Sequence, residues 1–461
     1  MKNIYIYFPH FLQNMAISIF NILAYRKRYG GKYNIYFLQY KKNIALTLKE
    51  LELIQKNKLD SFIKYVKLNS EYYNKLLPKS DKYFTLDDLK ELPILSKEIL
   101  RENIKIIETI SENKGIVSET GGTTGKSLKV RYTYDNMQER FALLDVFRST
   151  YGYKLGKRTA WFSGKNILTK KDIYKNRFWK TDYFYKVRYF STFHINKKNI
   201  TYYIQNLIMY KPEYLIGYPS SIYEIAKYGL LNKIEYPKNS IIAIFPTAET
   251  ITDDIRNIIE VFFNAKIFNQ YASSEGAPFV FECINNKLHL ELQSGIFEVH
   301  NKEGDNSKKG KLIVTSFTTM GTPLIRYDIG DEIELSYEKC TCGNNNPLVN
   351  SILGRSDDYV FSEETGKIYL GNISNTLKGT KGIIKFQVIQ NEIKELIINI
   401  VIDKNEFNEK VKNIFLKNWK YRVGAKIKLE IQIVDSIPVE KSGKFRMVIN
   451  NITHFVTFQK L

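Results

Sequence analysis

Cysteine is scarce: three in 461 residues, too few for a disulfide framework and in keeping with a reducing compartment. Long apolar runs are missing too. The longest near the start, Met15 to Tyr25, is about half of what a bilayer-crossing helix needs, and Asn21 interrupts it. Residues 1–30 do not read as a secretory leader either, because His10, Gln13 and Asn14 stand where its apolar core should begin and no small-residue cleavage site follows. A cytoplasmic protein is the expectation. Acid is in deficit: 48 Asp and Glu face 69 Lys and Arg, a net charge of +21. That balance admits a nucleic acid, an anionic membrane surface or an acidic polymer as partner. Yet the lysines are spread along a chain rich in Lys, Asn, Ile and Tyr, with only short runs such as Lys197-Lys198 and Lys308-Lys309. A generally basic, solvated surface is the plainer reading, and no nucleic-acid partner is expected.

What is present is a globular composition. A hydrophobic share of 44% and a charged share of 25% exclude disorder and collagen, and the length suits roughly three domain-sized units at about 150 residues each. Ile4 to Phe8 alternates like a short strand, Leu12 to Tyr25 has helical spacing, and Lys41 to Asn69 reads as one long amphipathic helix. Short helices separated by Pro93 follow over Asp87–Lys105, and two β-rich segments between Val117 and Tyr132 flank a Gly/Thr loop. Strand-like runs at Tyr214–Ile216, Ile241–Phe245 and Ala265–Phe268 alternate with helical stretches at Ser221–Leu231 and Asp253–Phe263, which argues for α/β architecture. Phe279 to Ser336 is β-rich. Beyond Gly354 a smaller unit is expected, with strands at Ile397–Ile402 and Ile427–Val434 and a helix near Phe407–Trp419.

The segment with the clearest chemistry is Ser118-Glu119-Thr120-Gly121-Gly122-Thr123-Thr124-Gly125-Lys126-Ser127. Three glycines let a backbone turn its amides toward one anion, while Thr hydroxyls and a Lys add donors and charge. A Walker loop would need glycine at position 120, where this chain has Thr. A Gly/Thr hairpin without a ligand is the duller alternative. A second candidate is metal. Cys283, His289, Cys340 and Cys342 make a Cys₃His set suited to structural Zn²⁺ if a hairpin returns His289 to Cys283; isolated thiols are the alternative. His10, His194, His300 and His454 have no partner visible in the sequence, although His194 could line a substrate pocket.

Read with segments downstream, the loop resembles the Thr/Ser-Gly-Gly-Thr-Thr-Gly-Lys signature of adenylate-forming enzymes. Ala248-Glu249-Thr250 looks like their adenine-side turn, Tyr271-Ala272-Ser273-Ser274-Glu275 like their aromatic motif, and Arg326 to Asp331 like their ribose motif. Gly354-Arg355-Ser356-Asp357-Asp358 looks like their hinge and Pro438 to Arg446 like their C-terminal Gly-Lys motif. Leu59–Lys97 and Lys211–Ser220 resemble the phenylacetate–CoA ligase branch, and Phe8–Asn14 with Arg26–Gly30 resembles CapK-type members associated with surface polysaccharide.

The resemblance implies an α/β adenylate-forming fold. A large N-terminal domain over 1–353, with α/β and β-rich subdomains, would be followed by a hinge at 354–358 and a small mobile α+β domain over 359–461. It implies carboxylate attack on ATP to give acyl-AMP, then acyl transfer to CoA or to an amine or hydroxyl acceptor. Ser118 and Thr120 to Lys126 would hold phosphate, Glu275 would bind Mg²⁺, and Tyr271 would stack on adenine beside Ala248, Glu249 and Thr250. Asp331 and Arg355 would hold the ribose, Asp357 would be the pivot, and Lys444 would be the catalytic cation. The branch has a similar Cys/His arrangement, which implies zinc. A P-loop kinase or NTPase, and a non-catalytic binder of anionic polymer, are the rival classes.

Overall fold

The computed structural model describes residues 5, 7–79, 82–111, 113–119, 129–301, 304–305, 308–336, 338–355, 359–369, 373, 375–377, 380–440 and 443–452. Among the described residues the first helix of any length is His10–Tyr29, and another runs over Tyr33–Asn43. The long helix expected over Lys41–Asn69 is broken. Thr47 caps a new helix, Leu48–Asn69, by a reciprocal capping box with Glu50, and this local exchange of donors ends the preceding turn. The strand expected at Ile4–Phe8 does not form among its described residues, where Tyr5 is helical and Tyr7 lies in a turn. The segment Ala265–Phe268 is likewise no strand; Ile267 makes a single bridge to Ile244.

Three sheets carry the architecture. In the first, Trp179–Asp182, Val187–Ser191, Thr159–Ser163, Tyr214–Gly217 and Ala243–Pro246 lie in that order, parallel except for the first pair. Tyr214–Gly217 and Ala243–Pro246 are buried along their whole lengths, as parallel strands covered on both faces must be. Tyr203, Ile204 and Leu207 from helix Ile200–Tyr210, and Ile222 and Ile225 from helix Pro219–Leu231, fill that core. Tyr153 and Phe162 are core residues as well. The second sheet has eight antiparallel strands between Gln270 and Arg355.

The third sheet has four strands, in the order Lys428–Ile433, Glu395–Ile402, Ile383–Glu392 and Val448–Asn450. Glu395–Ile402 alternates between buried and half-buried positions, and its inner face meets Phe415 and Trp419 of helix Glu409–Val423. These apolar residues form a separate core between Val360 and Val448.

Candidate functional site

The loop Thr120, Gly121, Gly122, Thr123, Thr124, Gly125 and Lys126 lies outside the described residues, as does Asp357. The frame of the loop is described. Ile116–Glu119 pairs antiparallel with Lys129–Tyr132, Ser118 opposite Val130, so the chain leaves and returns side by side. Tyr132, on the returning strand, is buried, and Arg140 stacks 4.5 Å over its ring. Arg140 Nη2 donates to the Ser273 carbonyl at 2.7 Å. The returning strand is thereby tied to the turn that carries Glu275, whose charge is close enough to act on the Tyr132 phenol. Ser273 Oγ donates to the Glu275 carboxylate at 2.7 Å and accepts from the Glu275 amide at 2.9 Å, which fixes that carboxylate while leaving a second oxygen. One fixed carboxylate is the kind of protein ligand Mg²⁺ takes beside phosphate and water. Ala272 and Ser274 are exposed in the same turn.

Tyr271 is half-buried and its hydroxyl donates to the Asp331 carboxylate. An aromatic face and a carboxylate are thus side by side, and the main chain of Arg355 pairs with that of Asp331 on the neighbouring strand. Arg326, at the head of the same motif, has a structural role. It is buried, pairs with Glu298 at 2.9 Å and donates to the carbonyls of Lys90 and Leu92.

Ala248, Glu249 and Thr250 follow the buried strand Ala243–Pro246, with Ala248 at a positive φ of 66°. The resemblance implies that Glu249 lines the nucleotide pocket, and its carboxylate is held by three donors. It accepts from the Ser220 amide at 3.0 Å and hydroxyl at 3.1 Å, at the N-terminus of helix Pro219–Leu231, and from the Phe445 amide at 3.0 Å. Desolvation pushes its pKa up, against these donors and the nearby Lys444 charge. Glu249 therefore clamps the segment carrying Lys444 to the parallel sheet.

A second contact does the same from the other side. Thr192 Oγ1 donates to the Gly443 carbonyl at 3.3 Å. Gly443 has φ 77°, and a Cβ there would lie 2.4 Å from Gly164 Cα and 2.8 Å from Thr192 Oγ1, so only glycine lets the loop approach. Away from the loop, Lys385 pairs with Glu224 at 2.6 Å, and Lys227 Nζ donates to the Ile383 carbonyl at 2.5 Å. Sequence motifs did not reveal Thr192, Gly164 or Arg140, and the Lys211–Ser220 segment gave no sign that Ser220 would meet Glu249. His194, expected as a possible pocket residue, bonds Ser191 at 2.8 Å and stacks on Phe178.

Cys283, His289, Cys340 and Cys342 come together, with their ligand atoms all within 4.8 Å of one another. Cys283 Sγ lies 3.7 Å from Cys340 Sγ, and Cys342 Sγ lies 3.4 Å from His289 Nε2. A tetrahedron of sulfur ligands about Zn²⁺ has edges of about 3.8 Å, so the donor set fits that ion. His289 Nδ1 faces the Asn346 carbonyl at 3.0 Å, which orients Nε2 toward the thiols. Burial pushes the imidazole pKa down, keeping the ring neutral as a ligand must be.

Residues 360–451 match the family model described as the CapK C-terminal domain. Protein CapK of Staphylococcus aureus is 35% identical, over 98% of this chain and 100% of its own. Phenylacetate-coenzyme A ligase of Thermus thermophilus is 22% identical, over 88% of this chain and 98% of its own. Among solved structures, 2-hydroxyisobutyryl-CoA ligase in the postadenylation state with R3-HIB-AMP aligns at a TM-score of 0.71, with 17% identity, over 91% of this chain and 93% of that one. The same ligase in the thioesterification state aligns at 0.55, with 17% identity, over 91% and 94%.

Proposed function

Because this chain belongs to the CapK family, a branch of the adenylate-forming ligases, we propose that it joins a carboxylic acid to AMP from ATP, releasing pyrophosphate, and then passes the acyl group to CoA or to an amine or hydroxyl acceptor in surface-polysaccharide synthesis. The observation that carries this reading is the seating of the Lys444 loop, through Glu249 and Thr192, at the C-terminal ends of the parallel strands, where the Ala248–Thr250 turn also lies. Attack of a carboxylate on a phosphate brings two anions together, so positive charge and fixed donors matter more than a base. In this reading residues 120–126 and Ser118 hold the outer phosphates, Glu275 binds Mg²⁺, and Lys444 balances charge accumulating at the α-phosphate. Tyr271 offers a ring to adenine, Asp331 accepts the ribose hydroxyls, and Arg355 assists from the hinge side.

The domain division follows the same reading: 1–353 binds substrates, 354–358 with Asp357 pivots, and 359–461 swings Lys444 away for acyl transfer. The greater likeness to the postadenylation state than to the thioesterification state supports a chain seated for the first half-reaction. Cys283, His289, Cys340 and Cys342 would hold a structural Zn²⁺, which would supply cross-linking of the β-rich region and no chemistry. Use of ATP places the enzyme in the cytoplasm; among the described residues no helix is long and apolar enough to cross a membrane. The test is ATP–pyrophosphate exchange screened over aryl, fatty, amino and uronic acids. At least one acid should drive exchange, and Mg²⁺-dependent ATP turnover that no acid stimulates would refute the proposal.

A further inference from the structure

The opening helix, His10–Tyr29, is folded inside out. Its buried residues are Gln13, Asn14, Ser18, Asn21 and Tyr25, four of them polar side chains. Each polar side chain is satisfied on the edge strand Trp179–Asp182 or its neighbours. Gln13 accepts from the fully buried Lys180, Asn14 Oδ1 accepts from the Thr181 amide at 3.0 Å, and Ser18 Oγ accepts from the Tyr183 amide at 2.9 Å. Asn21 Nδ2 donates to Asp182 at 2.6 Å and to the Tyr189 hydroxyl at 3.1 Å.

The apolar residues face outward. Phe11, Met15, Ile19 and Leu23, spaced one turn apart, are 56, 47, 56 and 57% exposed, and Phe20 beside them is 69% exposed. A helix at the surface of a soluble protein normally does the reverse, and a contiguous apolar stripe of this kind marks a docking face.

The charge around the stripe says what covers it. No Asp or Glu occurs before Glu50, whereas eight Lys and Arg do. Of the acidic residues that other elements bring to this segment, Asp172 and Asp182 are buried on the polar side of the helix and Asp135 pairs with Lys32. Arg26 and Lys27, both exposed, end the stripe, and Lys41 and Lys42 are exposed at the end of the next helix. Protein interfaces deplete lysine at their apolar centres. An anionic bilayer surface takes both features at once, with large apolar side chains entering the acyl boundary and basic ones reaching the phosphates. At 20 residues, and without the apolarity a span requires, the helix is suited to lie on such a surface and not to cross it.

We propose that the outer face of this helix docks the protein on anionic membrane surfaces. The inference is independent of which acid the enzyme activates and of whether it activates one.

The test is sedimentation of the full chain with phosphatidylcholine vesicles, either pure or containing roughly 30% phosphatidylglycerol, at about 0.15 M salt. Wild type should bind the anionic vesicles at least tenfold more tightly than the neutral ones. Phe11→Ser with Ile19→Ser should lower that affinity by roughly tenfold or more, with circular dichroism and melting temperature unchanged. Arg26→Gln with Lys27→Gln, which leaves the apolar stripe intact, should weaken binding to anionic vesicles alone. Wild type that ignores anionic vesicles, or binding that survives both pairs of substitutions, would overturn the proposal. So would a solution dimer that the Phe11/Ile19 pair splits, which would give the face to a second copy of this chain.

Discussion

The cysteine–histidine cluster and the Lys444 loop are held by different physics. The cluster is local: Cys283 and His289 are joined by one hairpin, Cys340 and Cys342 by one knuckle, and the four ligand atoms stand together within the eight-stranded sheet region. Lys444 arrives from a unit with its own apolar core, and the polar contacts that help seat it include a carboxylate on an amide, a hydroxyl on a carbonyl, an ammonium on a carbonyl and an ion pair. Such contacts exchange readily with water, each contributing on the order of 1 kcal/mol, which is what the proposed swing of the C-terminal unit requires. A structural centre, as proposed for the cluster, has no need to open, whereas one proposed to serve two half-reactions does.

Perturbing the two regions separately sharpens that contrast. Lys444→Ala should lower acid-dependent exchange by about 10²–10³ and leave zinc content untouched. Gly443→Val should cost roughly ten- to a hundredfold in exchange, through the clash with Gly164 and Thr192, while melting of the large unit stays put. Cys342→Ser should do the opposite: metal analysis should show zinc lost and the melting temperature lower by roughly 5–10 °C. Exchange per folded molecule should fall only slightly. Equal loss of exchange and stability in both variants would erase the distinction. Glu249→Gln keeps an acceptor for the Phe445 amide but loses the charge beside Lys444, and a three- to tenfold loss in exchange is expected.

The smallest effect is on pH. Burial pushes the Lys227 ammonium down to about 8 from its ordinary 10.5, with the Asp254, Glu224 and Glu406 charges opposing. A base with a lower pKa in the seated state is penalised while charged. The penalty is full below about 8 and fades as pH climbs toward 10.5. Protection of the C-terminal unit from limited proteolysis should therefore rise modestly over that window in wild type and stay flat in Lys227→Met.

Motif chemistry was legible in the sequence because it is local. An aromatic residue, two serines and a carboxylate in fixed order singled out the Tyr271–Glu275 segment, and the Cys/His count disclosed a cluster that the fold indeed assembles. Contacts distant in sequence were not legible: nothing near Glu249 or Thr192 announces that Phe445 and Gly443 will meet them. The opening helix shows a different limit. Periodicity correctly marks Leu12–Tyr25 as helical, but period alone does not say which stripe is covered, and here the polar one is. The Lys41–Asn69 break was equally hidden, since apolar spacing runs through it and only the Thr47–Glu50 capping box reveals the restart.

The most direct measurement compares the two half-reactions in Lys444→Ala, once an active acid is known: ATP–pyrophosphate exchange against consumption of the supplied acyl-adenylate with CoA or acceptor. A lysine that serves only while seated beside the nucleotide predicts exchange lost by about 10² or more, with acyl transfer from the supplied adenylate within a few-fold of wild type. Exchange at the wild-type rate in that variant would contradict the account.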